Sequence, residues 1–292
     1  CLRRVARVEP PRDIPITPAP DPWRYRSRAQ WQYDSRHSSL GYFERGSHKV
    51  CDVVECPVII PALQEKLTAL REEMRARRLP GEFVEFQAAA GDRGVTLAPP
   101  AGVGEEDEGE RAIAGERYRF DAGCFFQINH ALLEPLVREA LKDAAGGAAA
   151  VDLYCGVGLF TLPLARRFAR VVGVESNLAA GRYARRNLAD AGLTSASVET
   201  AGVGEWLAGH AGELAPVDFV LLDPPRAGAE TEAVEGIIAL RPRHISYVSC
   251  DPATLARDLR VLISRGYRLE SVAAFDMFPQ THHVETIAHL TS

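Results

Sequence analysis

Residues 247–259, YVSCDPATLARDL, end a β-rich run on a thiol and begin a helix directly after it. Pro252 suits the first helical turn, where a missing N–H costs nothing. Cys250 is then either a small buried apolar residue or a nucleophile held at the rim of a sheet. A helix N-terminus and a nearby Arg226 would both lower the thiol's pKa, and the thiolate is the reactive form. Further on, FDMFPQTHHVE (275–285) carries Glu285 into the start of the last strand, with Pro279 shaping the approach. A thiol and a carboxylate meeting at one cleft can act as nucleophile and general base. His282 and His283 compete for the proton-transfer role, although paired histidines before a strand are commonly structural.

A second set of residues points to a nucleoside ligand. DLYCGVGLF (152–160) places Gly156 and Gly158 between a strand and a helix, where backbone can approach a ligand or simply turn tightly. A nicotinamide fingerprint requires a third glycine where Thr161 stands. Glu175 ends the next strand, placed either to accept both hydroxyls of a ribose or to cap a helix. Loop and acid together favour a cofactor with no pyrophosphate to grip, and S-adenosylmethionine fits better than NAD. LLDPPRAG ends another strand on Asp223, and its two prolines stiffen an exit loop that aims Asp223 and Arg226 into the cleft.

Carbon 5 of a uracil is too weak a nucleophile to take a methyl group unaided. A thiolate adding to carbon 6 produces an enolate that makes carbon 5 attack a sulfonium methyl. The carbon-5 proton must then leave before the thiol is expelled, which requires a base. Cys250 and Glu285 supply that pair. In DAGCFFQIN (121–129), Phe125 is either core filler or a platform for an extruded base, and Gln127 is a candidate hydrogen-bond partner of the cofactor.

The elements that must position these residues alternate from about Tyr118 onward. Short apolar strands (AAAVDLY, RVVGVE, VDFVLLD, HISYVSC) are separated by helical segments, and two further strands close the chain. This pattern predicts an α/β fold with a doubly wound, mostly parallel, Rossmann-like sheet and an antiparallel last strand. In such sheets ligands sit beyond the carboxyl ends of the strands, where the candidate residues fall. Upstream, residues 1–22 end in a proline-rich stretch that reads as an extended connector. Residues 23–117 read as a smaller α+β domain. Its stretch WRYRSRAQWQYD alternates, with Arg24, Arg26 and Arg28 on one face and Trp23, Tyr25, Trp31 and Tyr33 on the other. That arginine face is either a contact for RNA phosphates or a plain solvated face. Residues 61–78 have helical spacing, and 81–90 return to strand.

Bulk properties bound the function. A composition of 46% hydrophobic and 25% charged residues is that of an ordinary globular protein. No apolar run approaches the ~20 residues of a membrane helix, and no signal-peptide core is present, so the protein is read as cytoplasmic. A net charge of −5 argues against coating nucleic acid by charge alone. Six scattered cysteines without a CxxC pair read as free thiols.

Six stretches taken in order, FFQIN, DLYCGVGLFTLPLA, VVGVE, LLDPPRAG, YVSCDPATLARDL and DMFPQTHHVE, resemble the RNA uracil-C5 methyltransferase family, which makes 5-methyluridine in tRNA or 23S rRNA. The match covers residues 118–292. The resemblance implies a class I methyltransferase sheet using S-adenosyl-L-methionine, with Cys250 as nucleophile and Glu285 as base. It implies cofactor contacts from Gln127, Tyr154, Glu175 and Asp223. The motifs lean toward the 23S rRNA branch over the tRNA branch, with structured RNA as partner. Three positions depart from the family pattern. Leu159 replaces an asparagine of the glycine loop, Gly202 stands where asparagine is frequent, and Asp251 replaces the asparagine beside the nucleophile. The added charge of Asp251 is expected to raise the thiol pKa. Residues 23–60 resemble the family's central RNA-binding domain, in which Cys56 matches the last ligand of a four-iron four-sulfur cluster. The other three ligands are absent, and with Cys1 in place of Met this implies a longer native chain. Competing readings are a base-nitrogen methyltransferase, which has no use for Cys250 and Glu285, and an RNA-binding relic of the fold that binds without turnover.

Overall fold

A computed structural model describes residues 1–79, 81, 83–210 and 216–292. Of the strand expected over 81–90, Glu82 lies outside the described residues. In chain order, a wide helical turn at Leu2–Ala6 precedes β1 (Ile16–Thr17). Next come β2 (Arg28–Asp34), β3 (Ser39–Phe43), β4 (Val50–Asp52), α1 (Pro61–Arg75), β5 (Phe83–Ala90) and β6 (Val95–Ala98). A hairpin of β7 (Gly109–Ile113) and β8 (Glu116–Phe120) leads to α2 (Leu133–Ala140) and β9 (Gly147–Leu153). The pattern then alternates through α3 (Thr161–Ala165), β10 (Phe168–Glu175), α4 (Leu178–Asp190), β11 (Ala196–Thr200) and α5 (Val203–His210). It continues with β12 (Phe219–Leu222), α6 (Thr231–Leu240), β13 (His244–Ser249) and α7 (Pro252–Ser264). The strands β14 (Arg268–Phe275) and β15 (Glu285–Thr291) complete it.

Two compact units divide the chain. The first comprises Cys1–Ala19, Ile113–Tyr118 and Leu132–Ser292; the second comprises Pro20–Ala112 and Arg119–Ala131. The first unit holds an eight-stranded sheet in the order β1-β14-β15-β13-β12-β9-β10-β11. Strands β9 to β13 pair in parallel, and β15 runs antiparallel between β13 and β14. Strand order reverses between β9 and β12, which opens a crevice at their carboxyl ends. The central strands are apolar along their whole length because helices cover both faces: Val151, Leu153, Val220, Leu222, Ile245 and Tyr247 are buried in one core with Leu255, Leu259 and Leu262 of α7.

The second unit is a five-stranded antiparallel sheet, β4-β3-β2-β5-β6, with α1 packed against it. Pro61 opens α1, and Leu63, Leu67, Leu70 and Met74 recur at helical spacing on the face that meets Trp31 and Phe86. Arg71 is buried on that helix and donates both terminal nitrogens to Asp52, at 2.6 and 2.9 Å, so its charge is paired.

Two expectations about organisation are corrected. Residues 1–19 are not a free connector: Ala6 is buried in the core of the first unit, and β1 adds to the sheet edge, pairing Ile16 with Ala274 and Thr17 with Phe275. Proline removes ladder donors but leaves an edge strand possible, so a proline-rich stretch can still pair on one side. The boundary also differs from 117/118. Residues 119–131, including Phe125 and Gln127, belong to the second unit, because Ser27 donates its amide and hydroxyl to the Ile128 carbonyl, both at 2.8 Å.

Candidate active site

Four strand ends and one strand start converge in the first unit. β9 leads into Tyr154, β10 ends on Glu175, β12 leads into Asp223 and β13 into Cys250. Register aligns them: Leu222 lies opposite both Leu153 and Tyr247. On the antiparallel side Ser249 lies opposite Thr286, and Thr286 Oγ1 donates to the Ser249 carbonyl at 2.9 Å. One step along that register Cys250 meets Glu285. Because opposed residues of an antiparallel pair share a face, thiol and carboxyl point to the same side.

Cys250 is half-buried and its thiol is hydrogen-bonded by Arg226. Its pKa is raised, which corrects the expected lowering. Burial contributes most, then the charge of Glu285; Arg226 opposes them and Asp223 adds to the rise. Asp251 is not among these causes. Its carboxylate caps α7, accepting the Ala253 amide at 2.7 Å and the Thr254 amide at 3.3 Å. Replacing asparagine by aspartate here keeps the cap.

Glu285 is 1% exposed, and burial drives its carboxyl well above the ordinary range, with Asp223 adding to the rise and Arg226 opposing it. Among the described residues its Oε1 has no hydrogen-bond partner. A buried carboxyl with a raised pKa and an unpartnered oxygen is poorly suited to a structural role and well suited to proton transfer. His282 is exposed, with its ring 4.1 Å from that of His283. His283 is half-buried, and its pKa is lowered by burial and then by Arg226.

The glycine loop is held from two sides. Gly156 and Gly158 take positive φ (+55° and +94°), and a Cβ at Gly158 would stand 3.0 Å from Leu162 Cδ1. Buried Asn187 of α4 donates to the Val157 carbonyl at 3.0 Å. Glu175 accepts the Gly156 amide at 2.9 Å and the Asn177 amide at 2.6 Å, one on each oxygen, so each keeps a lone pair for a ribose hydroxyl. The cap of α4 is Asn177, not Glu175. Tyr154, itself at positive φ, donates its hydroxyl to Glu230. Leu159 turns its side chain into the core at 6% exposure, and its carbonyl accepts Tyr118 Oη at 3.0 Å. Open space surrounds a Cβ built at Gly202.

Sequence reasoning missed Asp152. It is fully buried, accepts Thr161 Oγ1 at 2.5 Å, and among the described residues has no partner on Oδ1. Burial, with help from Asp223 and Glu175, raises its carboxyl to about 8. The first residue of DLYCG was in plain view, but full burial of a carboxyl is a tertiary fact. The free lone pairs of Glu175 beside the glycine loop suit the ribose of an amino-acid nucleoside such as S-adenosylmethionine, with Asp152 buried behind them.

The remaining predicted residues lie in the second unit. Phe126 is core, stacked on Phe120 with centroids 4.8 Å apart, whereas Phe125 is 66% exposed. Gln127 is buried. The arginine face is not an open stripe. Arg24 is exposed, but Arg26 and Arg28 are half-buried, and Arg28 Nη2 donates to the Ala122 carbonyl at 2.6 Å. Burial lowers the Arg28 pKa to about 10. The strand begins only at Arg28, so strict alternation from residue 23 does not hold, and Trp23 stands 45% exposed. Cys56 is half-buried and accepts the Tyr42 hydroxyl at 3.7 Å. Among the described residues no group of three or more Cys, His, Asp or Glu is placed to hold a metal, so the residues present do not fit a four-iron cluster. No described helix is long and apolar enough to cross a membrane.

Comparison with known proteins identifies the family. The family model described as tRNA (Uracil-5-)-methyltransferase matches residues 110–292. An uncharacterised RNA methyltransferase of Thermosynechococcus vestitus is 33% identical over 348 aligned residues, covering 100% of this chain and 77% of the relative. The 23S rRNA (uracil(1939)-C(5))-methyltransferase RlmD of Klebsiella pneumoniae is 36% identical over 304 residues, covering 91% of this chain and 70% of the relative. The solved Pyrococcus abyssi tRNA (uracil-54, C5)-methyltransferase, in complex with S-adenosyl-L-homocysteine, matches at a TM-score of 0.78 and 26% identity, covering 99% of this chain and 81% of that one. The chain therefore belongs to the tRNA (uracil-5-)-methyltransferase family, S-adenosylmethionine-dependent enzymes that methylate carbon 5 of uracil in RNA.

Proposed function

We propose that this enzyme methylates one uridine of 23S rRNA through a transient thioether between Cys250 and carbon 6 of the base. The observation that carries the mechanism is the meeting of Cys250, Glu285, Asp223 and Arg226 at the switch-point end of the sheet. The half-buried thiol passes its proton to solvent and the thiolate adds to carbon 6, while the ring electrons move onto the carbonyl oxygen as an enolate. Glu175 and the glycine loop would hold S-adenosylmethionine, which would supply the methyl group that carbon 5 takes. Glu285 must first give up its own proton; as the carboxylate it then removes the carbon-5 proton, the enolate re-forms, and the carbon–sulfur bond breaks to return the thiolate. Arg226 stabilises the thiolate at both ends of the cycle. In the second unit, exposed Phe125 offers a stacking face to a base and Arg24 a cation to phosphate.

The RNA assignment rests on relatives that act on 23S rRNA. A second reading, tRNA, is favoured by the solved structure from Pyrococcus abyssi, a tRNA (uracil-54, C5)-methyltransferase. Incubation with 23S rRNA or tRNA transcripts tritiated at uracil carbon 5 decides between them by which one releases tritium. On the productive transcript, Cys250→Ala should release none. Glu285→Gln should accumulate a covalent protein–RNA adduct on a denaturing gel, because addition proceeds while proton removal stalls. Equal release by wild type and Cys250→Ala would discard the mechanism. Work on a transcript made in the cytoplasm would place the enzyme there.

A further inference from the structure

A buried polar cluster next to the site has no part in the chemistry above. Tyr247 and Asp258 are both buried, at 0% and 3% exposure, and Tyr247 Oη donates to Asp258 Oδ2 at 2.6 Å. The Ala229 amide donates to both of them at 3.1 Å. Arg257 Nε donates to Asp258 Oδ1 at 2.7 Å, while its Nη2 donates to the Ala229 carbonyl at 3.1 Å. One residue of the loop after β12, Ala229, is thus gripped on both its N–H and its C=O. Gly228, at φ +81°, presses against the same groups: a Cβ there would stand 2.5 Å from Arg257 Nη2 and 2.8 Å from Asp258 Oδ2. Beyond the grip, Glu230 receives the Tyr154 hydroxyl from the glycine loop.

We infer that Tyr247 and Asp258 are positioning residues for methyl transfer, clamping the 223–230 loop so that Asp223 and Arg226 stay aimed at Cys250. The topology supports this. Tyr247 lies on β13, three positions before the nucleophile, and Asp258 lies on α7, which starts two positions after it. Both ends of the clamp therefore flank the thiol, and the loop they hold carries the guanidinium that hydrogen-bonds it. A core built only for stability would fill this volume with apolar side chains at less cost than with a buried carboxylate, a phenol and an arginine. The inference rests on the proposed role of Cys250.

The test uses the full chain with Tyr247→Phe and Asp258→Asn, and Tyr267→Phe as control. Tyr267 is an equally buried phenol of the same core, but it donates to the Pro242 carbonyl, away from the loop. Two quantities are read: kcat and KM for methyl transfer, and the pH profile of iodoacetamide alkylation at Cys250, followed by mass spectrometry of its peptide. Loss of the clamp should lower kcat about ten- to a hundredfold while leaving both KM values within about twofold. It should also move the alkylation midpoint upward by about half a pH unit as Arg226 drifts from the sulfur. Tyr267→Phe should do neither. An unchanged kcat or alkylation profile in both clamp variants overturns the inference, as does an equal shift in the control. If no RNA is methylated by wild type but the profile still shifts in the clamp variants alone, the clamp stands and the reading of the function falls.

Discussion

At the residue scale, protonation in this site is governed by burial more than by the helix terminus. Cys250 sits beside the first turn of α7 and is hydrogen-bonded by Arg226, yet its pKa is raised, because desolvation and Glu285 together outweigh the favourable charge. Burial likewise raises the pKa of Glu285, with Asp223 adding to the rise and Arg226 opposing it. That has a consequence for stability. In the unfolded chain Glu285 ionises near its ordinary 4.5, while in the folded chain it ionises well above that value. Between the two, the unfolded state binds fewer protons, so stability falls as pH rises through that window. Glu285→Gln removes this loss. Scanning calorimetry should show the variant gaining in Tm on wild type at pH 8 relative to pH 5, and an equal offset at both pH values would contradict it. Such a gain at the expense of turnover is the usual trade at a strained active site.

At the element scale, α7 does two tasks: its start shapes the thiol's surroundings and its second turn grips the 223–230 loop. Its N-cap, Asp251, satisfies two otherwise orphaned amides. Asp251→Ala should destabilise by about 1 kcal/mol in urea unfolding, whereas Asp251→Asn should be near neutral, since both side chains cap equally well. If the asparagine variant lost as much as alanine, the charge would matter and not the hydrogen bond. α4 works on the same plan from the other side of the crevice, with Asn177 capping it and Asn187 reaching back to the glycine loop.

At the scale of the whole molecule, the first unit is assembled from distant segments. β1 covers the edge of β14, and Ala6 completes a core whose other members lie beyond residue 150. Deleting residues 1–19 should uncover a strand edge and remove that packing. The expected result is a Tm lowered by about 5 °C and, from the bared edge, more scattering on heating. A truncated chain that melts and scatters like the full one would show the N-terminal segment to be a passive attachment.

Local pattern alone determined the alternation of strands and helices, the strand ends that carry Tyr154, Glu175, Asp223 and Cys250, and the placing of Glu285 at the start of the last strand. These were legible because element type follows side-chain periodicity, and a doubly wound sheet puts every βα turn at one end. Only the tertiary structure decided how those residues behave. The sign of the Cys250 shift, the burial of Arg26 and Arg28, the orphaned oxygens of Asp152 and Glu285, and the pairing of residues 16–17 with 274–275 all depend on neighbours far away in the chain. Desolvation and charge are sums over everything within a few ångströms, and no window of sequence contains those neighbours.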